Sequence, residues 1–124
     1  MAGLLAVTVL LAMAGGALAE DLDGPAFAYY ENGQIRIAAT FAEGRLTGLW
    51  TEFYENGQVK ATGTASGSPR NDIFHPIRTG LWLEYSAGGV LTFMGEYDDD
   101  LLNGRAVWYH NNGEMAYEAT FRDG

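Results

Sequence analysis

The sequence predicts an all-β fold, an elongated twisted antiparallel sheet of about four tandem β-hairpins, and three observations predict it. Glycines recur on two ladders that share one period, Asn-Gly pairs recur on one of those ladders, and the residues between them alternate with the period of strands. The first ladder is Gly33, Gly57, Gly89 and Gly113, with spacings of 24, 32 and 24 residues. The second, Gly24, Gly48, Gly80 and Gly104, runs nine residues ahead of it at every step. The units they define are roughly 24–47, 48–79, 80–103 and 104–124, the second being longer by an insertion within 66–78.

Each unit has a turn and two arms. Asn32-Gly33, Asn56-Gly57 and Asn112-Gly113 are the pairs a two-residue type I′ hairpin demands, because both central residues of that turn take positive φ, and Gly88-Gly89 serves the third unit. In the second arms Ile35, Ile37, Ala39 and Phe41 alternate with Gln34, Arg36, Ala38 and Thr40, and the same columns hold Leu91, Phe93, Gly95 and Tyr97, then Met115, Tyr117, Ala119 and Phe121. Successive strand side chains point to opposite faces, so one face is apolar. The first arms are expected to match through Phe27 and Tyr29, Thr51 and Phe53, Leu83 and Tyr85, Val107 and Tyr109. A small residue recurs at Ala39, Gly63, Gly95 and Ala119, where the sheet curves or an aromatic ring lies across the backbone.

Residues 1–19 carry no charged side chain and end Ala17-Leu18-Ala19 before Glu20 and Asp21. That is the pattern of a secretory signal peptide, here a signal helix cleaved after Ala19 to leave an exported domain, 20–124, in the periplasm or outside the cell. The helical period is absent after it. Sixteen Asp and Glu against seven Lys and Arg give a net charge of -9, all of it beyond the leader. Such a chain repels phosphate backbones and anionic lipid heads, so no nucleic-acid partner is expected, and contact with a membrane only during export. With no cysteine there is no disulfide framework and no thiolate zinc site.

The stretch from Phe53 to Thr64, FYENGQVKATGT, and the Thr-Gly-Leu-Trp elements at Thr47 to Trp50 and Thr79 to Trp82 resemble the MORN-type repeat. Within that group they resemble the bacterial branch typified by the YwqK family of antitoxins. The resemblance spans Gly24 to Gly124 and implies a sheet of successive hairpins with no catalytic group built in. Departures from the pattern are Gly88-Gly89, Ala106 where the tryptophan column would continue, and the insertion.

No nucleophile elbow, phosphate-cradling loop, zinc spacing or paired-carboxylate signature is present, so neither enzymatic activity nor a cofactor or metal is expected. Asp98-Asp99-Asp100 falls where other units carry a turn, and Leu102 stands where an EF-hand needs an oxygen ligand. His110 shares a column with Tyr30, Tyr54 and Ser86, which is not the mark of a ligand column. The insertion gathers Arg70, Asp72, His75 and Arg78 in an acidic chain. Insertions in repeat arrays often map to a binding face, although loop-closure entropy also tolerates a plain surface loop. Trp50 and Trp82 form one column and Tyr30 and Tyr54 another, read first as packing between hairpins and second as a platform for a partner.

These features lead to an exported, non-enzymatic repeat module that binds another protein along a groove or by strand addition. Unpaired outer strands also open a route to self-association. The alternatives are an antitoxin or immunity protein, by resemblance, and a cell-wall or glycan binder using the aromatic columns.

Overall fold

The computed structural model of the chain describes residues 23–67 and 75–124. The leader, with its signal helix, and Arg70 and Asp72 of the insertion lie outside them.

The four turns set the architecture. In the first, the Gly33 N–H donates to the Tyr30 carbonyl at 3.0 Å and the Tyr30 N–H donates to the Gln34 carbonyl at 2.8 Å. Gly33 has φ +90° while Asn32 is not among the residues at positive φ. This is a type I turn closed by a glycine bulge, not the expected type I′ turn. The same bonds recur around Gly57, Gly89 and Gly113. The asparagine has a different task from the one predicted: its side-chain oxygen accepts the N–H two residues on, from Gln34, Gln58 and Glu114, at 2.9 Å each. Where Gly88 replaces it, the Ser86 hydroxyl accepts the Val90 N–H at 3.2 Å. Paired positive φ angles of the type I′ kind occur instead between units, at Glu43-Gly44, Asp99-Asp100 and Asp123-Gly124.

Between turns the alternating arms form β1 (Gly24–Tyr29), β2 (Ile35–Ala42), β3 (Arg45–Leu46), β4 (Leu49–Phe53), β5 (Val59–Ser66), β6 (Ile77–Tyr85), β7 (Leu91–Asp98), β8 (Leu101–Tyr109) and β9 (Met115–Phe121). They make one antiparallel sheet in the order β1-β2-β4-β5-β6-β7-β8-β9, with β3 pairing β2 off that path. β3 and β4 are two parts of one arm interrupted at Thr47-Gly48, so nine strands make the four expected hairpins. No helix occurs among the described residues. The insertion is shorter than predicted, because Ser66 pairs with Ile77 and Ala65 with Arg78, extending β5 and β6 into it.

Register bears out one expected first-arm column, with Tyr29, Phe53, Tyr85 and Tyr109 opposite Ile35, Val59, Leu91 and Met115, and corrects the other. Ala26 lies opposite Ala39, Trp50 opposite Gly63, Trp82 opposite Gly95 and Ala106 opposite Ala119. Residues directly opposite in an antiparallel pair share a face, so the column joining the buried second-arm residues is Ala26, Trp50, Trp82 and Ala106, not Phe27, Thr51, Leu83 and Val107. All four are at most 4% exposed. Val107 is also fully buried, on the other face. The main core runs through Ile37, Phe41, Leu46, Trp50, Ala65 and Trp82, and a second aromatic series links Phe93, Trp108 and Tyr117 at centroid separations of 5.2 and 4.9 Å.

Replacing Gly57 with valine is expected to destabilise the fold by about 1 kcal/mol or more, because a β-branched residue is strained at φ +91°. Only the Gln34 side-chain oxygen, at 3.9 Å, would approach the new Cβ, so the penalty lies in the backbone. In urea melts Gly57→Asn should therefore cost less than Gly57→Val.

Candidate functional site

The seam between the second and third hairpins carries a groove of about 660 Å³. Its floor comes from the repeat. Trp50 on β4 and Trp82 on β6 approach to 5.5 Å between centroids at 41°, with Gly63 between them on β5. A Cβ at Gly63 would meet the Trp82 ring at 2.4 Å, so only glycine lets the indole lie across that strand. The Trp82 Nε1–H donates to the Thr64 carbonyl at 3.0 Å.

The rim is charged. Glu52 and Glu84 both lie opposite Ala61, one on each side of it, and Lys60 reaches Glu52 at 3.8 Å while its ammonium sits 5.7 Å from the Tyr54 ring centroid. Arg78 closes one end. Its Nε donates to an Asp100 carboxylate oxygen at 2.6 Å, its Nη1 donates to the Tyr97 hydroxyl at 3.0 Å, and the guanidinium lies 4.1 Å from that ring's centroid. The backbone joins this clasp through the Asp100 N–H donating to the Arg78 carbonyl at 2.9 Å. Arg78 occupies the repeat position of Leu46 and Leu102, two residues before the Gly48, Gly80 and Gly104 ladder. A cation has replaced a core leucine and found a carboxylate and a ring.

Partial burial opposes the charge on Asp100, but the Arg78 side-chain hydrogen bond, the Arg78 N–H and the attraction of the guanidinium outweigh it and hold the carboxyl below its usual range. Burial likewise opposes the Arg78 charge and is outweighed, first by the Asp100 hydrogen bond, so the guanidinium is held more firmly protonated. Burial raises the Tyr97 phenol despite the opposing pull of Arg78. A depressed folded-state carboxyl stabilises the protein above its unfolded value and loses that contribution as pH falls through the folded value. The clasp is therefore expected to contribute a few tenths of a kcal/mol, about the scale of a solvent-screened pair, above the ordinary aspartate range, and to lose it as pH falls through the depressed folded value. Urea melts from pH 6 to 2.5 should show this acid loss reduced in Asp100→Asn.

The groove brings together Trp50, Trp82, Tyr54, His75 and Arg78 of the residues singled out from sequence. Tyr30 lies apart on the first hairpin and Arg70 lies outside the described residues. The tyrosine column staples units: the Tyr30 hydroxyl donates to the Phe53 carbonyl at 2.6 Å and the Tyr54 hydroxyl to the Tyr85 carbonyl at 2.8 Å. Asn32 and Asn56 likewise donate to the carbonyls of Glu55 and Ala87 in the next turn. Trp50 and Trp82, at 4% and 3% exposed, are packed mainly into the core and present only a small part of each ring to the groove. Sequence reasoning missed Glu52 and Glu84. Their shared position two residues after each tryptophan was the available signal. Asp98 to Asp100 form the predicted turn, with no metal-binding group of side chains among the described residues.

A single sheet of tandem hairpins, stapled from turn to turn, defines a β-hairpin repeat protein. A family model described as MORN repeat variant matches residues 22–43, 46–65 and 102–123, together more than half of the chain. The chain belongs to that family. The β6–β7 hairpin, with Gly88-Gly89 and the preceding insertion, lies outside the matched segments yet keeps the same turn bonds and register. Neither the curated proteins nor the solved structures searched contain a match.

Proposed function

We propose that the chain is an exported, non-enzymatic repeat module whose groove between the second and third hairpins binds another protein. The supporting observation is the groove itself: about 660 Å³ of open space with an apolar floor and a rim that carries the Glu52–Lys60 and Arg78–Asp100 pairs, placed where the insertion enters the sheet. Membership of a repeat family without built-in catalytic groups supports a binding role, and the charge-free leader ending in Ala-Leu-Ala supports export. If the partner is a toxin, the module acts as its antitoxin.

Photo-crosslinking tests the reading. A photoreactive residue at Thr92, in the groove, should yield one discrete protein adduct in the source cells, and the same residue at Thr40, exposed on the opposite face, should not. Identical adducts from both positions, or none from Thr92, would end the groove assignment. The identity of the adduct separates a toxin from another partner, and fractionation of the cells tests export.

A further inference from the structure

The two outer strands of the sheet are different in kind. β1 is a first arm and β9 a second arm, and inside the chain every second arm is followed across the sheet by a first arm, at β2–β4, β5–β6 and β7–β8. Among the described residues no strand lies beyond β9 or β1. The effect on β9 shows by comparing columns. Ile37 and Phe93 are 1% and 5% exposed, whereas Tyr117, in the same column, is 58% exposed. Met115, in the column of the half-buried Ile35, Val59 and Leu91, is 53% exposed. Among the described residues, β9 is a second arm with no first arm beside its outer edge.

We propose that the neighbour is β1 of a second copy, joined head to tail in the register of the internal seams. Those seams place Ala61 opposite Glu84, Gly63 opposite Trp82, Phe93 opposite Trp108 and Gly95 opposite Ala106. The same repeat positions put Tyr117 opposite Ala28 of the second copy and Ala119 opposite its Ala26. Sizes match. β1 is the first arm with alanine in both of these columns; the others carry Trp50 and Glu52, Trp82 and Glu84, Ala106 and Trp108. Small residues on β1 leave room for the exposed Tyr117 ring.

Two features that ordinarily blunt a sheet edge are accommodated here. Pro25 has no N–H to offer, but it occupies the column of Leu81 and Arg105, where a bulge leaves the internal seams unpaired. Glu118 is held by Arg105 within its own hairpin, so it does not stand as a free charge on the edge. An arrangement with different surfaces on each side does not close on itself as a two-fold dimer does, so it propagates beyond two copies. Each copy carries a net charge of -9, so added salt should strengthen the contact by screening repulsion.

The test uses the full coding sequence, with the protein purified as the cell delivers it. Sedimentation velocity should show concentration-dependent species beyond the dimer, increasing with salt, and Tyr117→Lys should return the protein to monomer. Because the chain has no cysteine, Ala119→Cys and Ala26→Cys, the other pair the register places opposite each other, can be made in separate molecules with Tyr117 left intact. Mixed under oxidising conditions they should form a disulfide-linked heterodimer, and neither alone should do so. Each change adds only a sulfur atom to an alanine side chain, and thermal melts monitored by circular dichroism check that each variant folds. A monomer at every concentration, association indifferent to Tyr117→Lys, or crosslinking of Ala119→Cys to itself would overturn the proposal. The last result would mean symmetric pairing of β9 with β9.

Discussion

Gly63→Val is expected to destabilise the protein by about 3 kcal/mol, the upper end for overpacking a well-filled core. The new Cβ would lie 2.4 to 2.5 Å from three atoms of the Trp82 ring. That ring is 3% exposed and fixed by its bond to the Thr64 carbonyl, so it is not the free end of a flexible chain. Gly63 shows no positive φ, so the penalty is steric and has no backbone component. The expectation is specific: in a Trp82→Leu background, Gly63→Ala should cost much less than in the native chain. Additive costs in urea melts of the single and double variants would refute the ring-over-glycine account.

Phe41→Ala should cost about 3 to 5 kcal/mol, the range for removing a buried aromatic side chain. Phe41 is 2% exposed and among the largest fully buried side chains of the described residues. Phe121 occupies the same column of the last unit but is half-buried beside Trp108, at 6.2 Å between ring centroids. Phe121→Ala should therefore cost clearly less, about 1 to 2 kcal/mol if the loss follows the apolar area still shielded from water. The comparison isolates what a following hairpin contributes, since the residue and its repeat position are the same. Equal costs would mean that burial in this sheet does not depend on the next unit. Under conditions where copies associate, the Phe121 penalty should also grow with protein concentration.

Local chemistry made the hairpins legible. Gly33, Gly57, Gly89 and Gly113 all adopt the positive φ their spacing implied, and the alternation in β2 appears as alternating burial at Ile37, Ala39 and Phe41. Turn type was harder to read, because Asn-Gly serves both a type I′ turn and a type I turn with a glycine bulge. Which one forms depends on hydrogen bonds that no dipeptide specifies. One of the two first-arm columns, Phe27, Thr51, Leu83 and Val107, was misread for a related reason. Periodicity of two says that residues alternate, but the pairing across the turn decides which set shares the core, and a slip of one residue exchanges Trp50 and Trp82 for Thr51 and Leu83.

Much of the candidate site was legible as positions but not as roles. Trp50, Trp82, Tyr54, His75 and Arg78 could be picked out by column and composition, yet nothing in the sequence distinguished a ring laid over Gly63 in the core from a ring offered to a ligand. Nor could it join Arg78 to Asp100, 22 residues away in the next seam.

The period, the number of hairpins, the turn positions and the acidic, cysteine-free character of the chain are written in its residues alone, because they depend on φ preferences, alternation and composition within one unit. Packing between units set which face is core, made the tyrosines and asparagines staple neighbouring turns, and put the groove at the seam of the second and third hairpins. Those features arise where units meet, and contact between units depends on register, bulges and the shapes of side chains far apart in the chain.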